Sequence, residues 1–238
     1  MRKVLSIFIF IAISSASHAQ LFSIGANGIF NSTWLFNKFD DTPSISRETV
    51  TTFGMAGGLD IKYYFNNNSY YNDNVIAVSF NPSMRSIKQK FKGTITVTDT
   101  TTKKSHSYNE EFKLSYIELP LMIHFQGEAG LYAELGASYG LIQSAKASFS
   151  TEDTAFVTFS DLDVKSSFTS SNISGIFGFG IASNITDQLT LTTGLRFTYG
   201  LGDINSSAAK SAGANPTRTG TGGFVLGLAY KFDSYYSR

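Results

Sequence analysis

Three sets of residues in this chain could do chemistry. The first is Asp60, Lys62, Arg85, Glu118, Glu134, Arg196 and Lys231. Each sits within a stretch where apolar and polar residues alternate, and each falls on the polar parity. Glu118 and Glu134 lie on neighbouring stretches and could approach each other. Paired carboxylates do acid–base work when one of them is held protonated. The surrounding cations argue against that, with Arg196 or Lys62 the better placed to neutralise them. Four cations and three carboxylates on one face read as a mutually neutralising network. The second set is histidine: His18, His106 and His124. None is spaced from another histidine or a carboxylate as a metal site requires. His106 falls in a serine-rich polar segment, but no serine is singled out as a nucleophile for it. The third set is charge in the polar segments: Lys103 and Lys104; Glu152, Asp153, Asp161 and Asp163; Lys210 and Arg218.

Several classes of chemistry are closed. With no cysteine in 238 residues, disulfides, thiolate catalysis, Cys-ligated metals and a lipidated N-terminal Cys are all excluded. Gly54-Met-Ala-Gly57-Gly58 and Gly178-Phe-Gly180 lack the strand–turn–helix setting of a phosphate loop; glycine there relieves crowding between side chains. The formal charge is +1, too little for a nucleic-acid partner, which needs a basic surface. No catalytic, cofactor-binding or metal-binding residue is specified, and no cofactor is expected.

The elements that position these residues show a period of two. In Ser115–Phe125, Ile117, Leu119, Leu121, Ile123 and Phe125 alternate with Tyr116, Glu118, Pro120, Met122 and His124. In Leu189–Leu201 the odd positions are large or apolar, and the even ones are Thr190, Thr192, Gly194, Arg196, Thr198 and Gly200. Successive strand residues point to opposite faces, so these are two-faced strands. The same split recurs in residues 54–65, 130–141 and 223–232, and in Leu21–Phe30, Val75–Arg85 and Asn172–Ser183. Eight strands are expected. Pro120 removes a ladder donor mid-strand, so a bulge or local break is expected there.

The connections alternate in length. Asn31–Val50, Ile87–Ser107, Ala145–Lys165 and Gly202–Thr219 are long and polar; Asn66–Asp73, Gln126–Glu128 and Asn184–Asp187 are short. Outer-membrane barrels have long external loops and short periplasmic turns. Thr94–Thr102 is rich in β-branched residues and is expected to continue its strands as a hairpin above the membrane. Phe22, Tyr63, Phe65, Phe125, Tyr230 and Phe232 fall at expected periplasmic strand ends, with Trp34, Phe36 and Phe39 just past the outer end of the first strand. Rings concentrate at membrane interfaces. Residues 1–19 read as an export signal: Arg2-Lys3, an apolar run to Ile13, and Ser17-His18-Ala19 as the cleavage site. The apolar run is too short to span a bilayer, which takes roughly 20 residues. Residues 20–238 then form one domain: all-β, an eight-stranded antiparallel up-and-down transmembrane β-barrel of the bacterial outer membrane. A secreted soluble β-protein is the alternative reading of the same alternation.

Tyr116-Ile-Glu-Leu-Pro-Leu-Met-Ile-His-Phe125 resembles a recurring strand of the PorT-like outer-membrane β-barrel proteins of Bacteroidetes. Residues 194–205 are similar to their penultimate strand and following loop, and Gly227-Leu-Ala-Tyr-Lys-Phe232 to their closing strand. The resemblance spans most of the chain after residue 20 and implies an eight-stranded outer-membrane barrel. It implies little about activity. The hydrophilic tail Asp233–Arg238 departs from the pattern, since the aromatic of an insertion signal usually stands last.

The expected function is non-catalytic: a monomeric structural or interaction protein of the envelope, with a lumen plugged by charge and long external loops. Its expected partners are outer-membrane lipid and, at the loops, an envelope or secretion-machine protein or an extracellular ligand. An accessory role in a secretion or transport machine, a rim-site enzyme acting on lipid or peptide, and a gated path through the lumen are the alternatives.

Overall fold

A computed structural model describes residues 22–37, 45–65, 74–98, 103–127, 129–153 and 156–232. The expected export signal, the 66–73 turn, Phe39 and the 233–238 tail lie outside the described residues. Eleven strands are present: β1 (Phe22–Asn37), β2 (Ile45–Val50), β3 (Thr52–Tyr64), β4 (Val75–Phe80), β5 (Ser83–Thr98), β6 (Lys103–Gln126), β7 (Leu131–Thr151), β8 (Phe159–Asp163), β9 (Ser171–Asn184), β10 (Leu189–Gly200) and β11 (Thr217–Phe232). A short helix α1 (Ser207–Ser211) lies between β10 and β11. Among the described residues no helix is long and apolar enough to cross a membrane, which says nothing of crossing by strands.

Eight staves close into a ring. β1 pairs antiparallel with β3 and, at the seam, with β11, from Phe22↔Phe232 to Asn37↔Thr217. β3 pairs with β4 and β5, which act as one interrupted stave and both pair with β6. β6–β7, β7–β9, β9–β10 and β10–β11 complete the circuit. Closure leaves no sheet edge within the ring. The outward parity is apolar and exposed, as at Met55, Leu121, Leu131 and Leu135, while Ser23, Asp60, Arg85, Glu118, Glu134 and Arg196 are buried inside. A soluble sandwich would bury the apolar face instead. The inverted pattern defines a barrel whose outer wall meets lipid.

The aromatics take the expected rim positions. Phe22 packs on Phe232 with ring centroids 6.0 Å apart, Tyr63 on Phe65 at 5.3 Å and Tyr230 on Phe232 at 5.0 Å. At the other end Phe36 meets Tyr199 at 5.7 Å. Trp34 and Phe36 stand within β1, because that strand runs seven residues further than its apolar alternation.

Three departures from the expected layout have physical causes. β6 runs unbroken through Pro120, whose partner on β7 is Ser138. The gap falls on the opposite stave, between β4 and β5 at Asn81-Pro82: the Asn81 N–H donates to the Pro120 carbonyl at 3.1 Å, and Pro120 has no N–H to return. Second, much of the expected loop sequence is strand. β5 and β6 pair without interruption out to Thr98↔Lys103, so the expected continuation above the membrane holds over Thr94–Thr98, and β7 runs to Thr151. β2 pairs with β5, and β8 with β7, giving the external end a five-stranded sheet in the order β2-β5-β6-β7-β8. Third, the register slips once between β6 and β7: Ser115 faces Ser144 and Tyr116 faces Ile142, leaving Gln143 as an extra residue.

Leu135 is 62% exposed on the outer wall. Leu135→Arg should destabilise the folded barrel in lipid vesicles by about 2–4 kcal/mol, the range for a cation near the bilayer midplane. Urea titration of the reconstituted protein measures it, and an unchanged midpoint would be the result of a wall that does not face lipid.

Candidate functional site

The charges of the lumen meet in pairs. Lys62 Nζ lies 3.2 Å from Asp60, Arg85 Nε 2.9 Å from Glu118, and Arg196 Nε 2.5 Å from Glu134. Asn81 joins two of them: its Nδ2 donates to Asp60 Oδ1 at 2.7 Å, and its Oδ1 accepts from Arg196 Nη2 at 3.1 Å. Arg85 also donates to the hydroxyls of Thr198 and Thr221, at 3.2 and 2.6 Å. Every carboxylate of the set therefore has a cation, as a low-dielectric interior requires. Lys231 stands at the periplasmic mouth and donates to Asn184 Oδ1 at 2.9 Å. Asn81 is the member that sequence reading missed. Pro82 beside it marked the turn, but nothing local marked its side chain as a bridge.

Glu118 and Glu134 do not approach each other. Glu118 is in register with Gly140 on β7, six residues along that strand from Glu134. That separation is about 20 Å at the usual strand rise. Arg196 neutralises Glu134 as expected, whereas Glu118 takes Arg85. The Arg196–Glu134 contact crosses an intervening strand, since β9 lies between β7 and β10. The β9 residue opposite both is Gly178. A Cβ there would stand 2.5 Å from Glu134 Oε1 and 2.8 Å from its Cγ. Glycine at this position is what lets the pair close over β9. At the periplasmic end, His124 stacks on Tyr132 at 4.8 Å.

Outward of the charged layer the interior turns apolar. Leu35, Ile87, Leu114, Tyr116, Ile142, Ala145 and Ile204 form one buried cluster, packed by Phe112, Val164 and Phe168. Ile204 comes from the segment after β10. Its N–H donates to the Thr217 carbonyl at 2.9 Å, and its own carbonyl accepts from Thr169 at 2.8 Å. Asp203 anchors this segment by accepting from the Asn205 and Thr217 N–H groups, at 3.0 and 2.9 Å, with Lys210 3.3 Å away. Burial works to raise the Asp203 carboxyl, but the two N–H groups and Lys210 outweigh it and hold the group below the usual range.

Above that cap, the five-stranded sheet carries a cleft of about 280 Å³, bounded by Leu35, Arg47, Phe91, Glu110, Phe112 and Phe168 among others. Arg47 and Glu110 form an ion pair, and the guanidinium also lies 3.8 Å from the Phe91 ring centre. Burial pushes the Glu110 carboxyl up and the Arg47 guanidinium down. The cleft is thus an aromatic pocket with one desolvated charge pair at its edge.

The remaining loop charges are dispersed. Lys103 and Lys104 stand at the tip of the β5–β6 hairpin. Asp161 pairs with Lys113 at 3.3 Å, Asp163 accepts from the Lys165 N–H at 2.9 Å, and Arg218 donates to Tyr199 at 3.3 Å. His106 Nε2 lies 3.2 Å from Asp153 Oδ2, a His–carboxylate pair across 47 positions of sequence. Among the described residues, no hydroxyl hydrogen-bonds His106 and no group of three His, Asp or Glu could hold a metal ion.

With closed ring, lipid-facing wall and charged lumen in place, the class is defined: an antiparallel transmembrane barrel. The family model of the outer membrane protein beta-barrel domain matches residues 16–206, and the chain belongs to that family. Its location is the bacterial outer membrane. The solved structures it is similar to include Neisserial surface protein A (NspA), 16% identical, covering 89% of this chain and 97% of that one, with a TM-score of 0.41. The attachment invasion locus protein Ail of Yersinia pestis, in complex with the heparin analogue sucrose octasulfate, is 17% identical over 89% of this chain and 99% of that one, with a TM-score of 0.36. OprG of Pseudomonas aeruginosa is 13% identical over 91% and 97%, with a TM-score of 0.34. No curated protein matches the sequence.

Two outcomes follow from this geometry. Gly178→Val should split the Arg196–Glu134 pair and lower stability by about 3–5 kcal/mol, as for a broken buried ion pair; urea unfolding read by Trp34, the single tryptophan, measures it. Asp203 stabilises the external cap above its unfolded pKa, and that contribution is lost as pH falls through its lowered folded value. Protection of the Asn205 and Thr217 amides, taken relative to their intrinsic exchange rate at each pH, should therefore fall in acid, and Asp203→Ala should show the low protection at all pH values.

Proposed function

We propose that this protein is a non-catalytic component of the outer membrane, a barrel with a plugged lumen that presents an external sheet to a partner. The carrying observation is the β5–β6–β7 extension. β6 has 24 residues, whereas a transmembrane strand needs about 9–11. The surplus builds a rigid platform with an aromatic cleft, and the paired charges and apolar cluster stacked beneath it support the reading of a closed path. An interaction role as an accessory subunit of a secretion or transport machine, which the PorT-like resemblance at Tyr116–Leu121 allows, fits the same platform.

A rim-site hydrolase is the second reading, favoured only by the His106–Asp153 contact. The lack of a hydroxyl on His106 among the described residues weighs against it.

The deciding experiment is photo-cross-linking in intact cells from positions 96 and 104 on the hairpin, with position 135 on the lipid wall as control. A partner captured at the hairpin and absent at the control supports the proposal; adducts that never exceed the control would remove it. In planar bilayers the folded protein should stay silent. Steady single-channel conductance would overturn the plugged lumen.

A further inference from the structure

Three rows of like residues cross the outer wall on β5, β6 and β7. Met84, Ile117 and Leu141 are in register with one another across the three strands. One step outward come Ser86, Ser115 and Ser144, and one step further Lys88, Lys113 and Lys146, again directly side by side. All nine share the outward parity. Met84 is 68% exposed, and Lys88 and Lys146 are exposed while Lys113 is half-buried. The wall passes from apolar to hydroxyl to ammonium within four residues of strand.

The height of the lysine row follows from β6. Its outward apolar residues run from Phe125, in the periplasmic girdle, to Ile117. At a rise of about 3.4 Å per residue and a tilt near 40°, that stretch spans about 21 Å, close to the roughly 25 Å of a typical apolar band. Lys113 then lies about 30 Å above Phe125 on the same measure. That is the level of the outer-leaflet headgroups.

Like charges directly opposite on neighbouring strands repel, and this row is only partly compensated. Lys113 has Asp161 at 3.3 Å and Glu111 at 3.7 Å, and Glu111 is shared with Lys90 at 3.4 Å. Among the described residues neither Lys88 nor Lys146 has a carboxylate within 4.0 Å. Asp163 is in register with Lys146, but its carboxylate accepts from Lys165 N–H. The two outer lysines flank the middle one at about 5 Å per strand. Their flexible stems can bring three ammonium groups onto one tetrahedral anion between them.

We propose that the Lys88–Lys113–Lys146 row binds the phosphate of an outer-leaflet lipid. The serine row beneath it meets the lipid's polar linkage, and the Met84–Ile117–Leu141 row takes its acyl chains. The occupant is a lipid rather than a soluble anion because the apolar row continues the charged one downward into the hydrocarbon.

The test uses Lys88→Gln/Lys146→Gln in the full-length protein, which leaves the ion pairs of Lys113 intact. Wild type and variant are released from mixed micelles of bisphosphorylated lipid A and neutral detergent, and retained lipid is counted by native mass spectrometry. Wild type should retain lipid A about thirtyfold better than the variant, given the roughly one and a half orders of magnitude that two surface lysines contribute at an anionic interface. Dephosphorylated lipid A should be retained poorly by both. Lys88→Arg/Lys146→Arg should retain as wild type, and Lys104→Gln, at the hairpin tip, should change nothing. Equal retention by the Gln variant, or equal retention of the dephosphorylated lipid, would overturn the proposal. So would displacement of lipid A by inorganic phosphate or sucrose octasulfate at equal concentration, which would assign the row to a soluble anion. Folding of each variant is checked by its heat-modifiable gel mobility, and single Lys88→Gln and Lys146→Gln proteins replace a double variant that fails that check.

Discussion

Inside a bilayer no water is present to receive an unpaired backbone amide, and every other feature of this chain follows from that constraint. A sheet satisfies it only by closing, so β11 must return to β1 along the full length of both strands. Closure in turn fixes what each side of a strand meets. One parity faces hydrocarbon and must be apolar; the other faces a space too narrow for water to fill freely. Within the hydrocarbon span the charged residues could stand on the second parity only, and there Asp60, Glu118 and Glu134 each lie beside a cation.

The interior is organised by height. Toward the periplasm, Lys62, Asp60, Asn81, Arg196 and Glu134 form a connected polar layer; Arg85 and Glu118 form the next; aliphatic and aromatic side chains pack together beyond them. The layers are coupled through backbone geometry as much as through charge. Asn81 reaches Asp60 because the register sets the two opposite each other on the lumen face, and from there it also meets Arg196; the stave is interrupted there because neither Pro120, facing Asn81, nor Pro82, facing Leu59, has an N–H to return. Arg196 reaches Glu134 because Gly178 leaves the face of β9 bare.

Face assignment was legible in the sequence, and partner assignment was not. Alternation identified the inward charges correctly, because period two depends on neighbours in the chain. Which charge meets which depends on register between strands; across β6 and β7 it is set by where one strand ends and the next begins, and it places Glu118 opposite Gly140 and His124 opposite Glu134. Glu118 and Glu134 therefore looked close but stand far apart. The external sheet was read as loop because its outward residues are Lys, Thr and Ser. Only its inward residues, Ile87, Gln89 and Phe91, carry the strand signal, and half a signal in a polar segment reads as a loop. The His106–Asp153 contact had no sequence signal, since it forms between two different external segments.

Among the described residues the slip at Gln143 is the one register shift between strands of the ring, and it has a historical reading. In a closed barrel, losing or gaining one residue within a stave would turn every later side chain inside out, sending charge to lipid. Such a change survives only where the stave leaves the hydrocarbon and either face is tolerable. Gln143 sits at that boundary: before it β7 shows odd positions to the outside, and after it even ones. The membrane-embedded part and the external platform are therefore out of phase on this strand. Length variation in relatives should concentrate from that point outward, with the barrel below preserved residue for residue in spacing if not in identity.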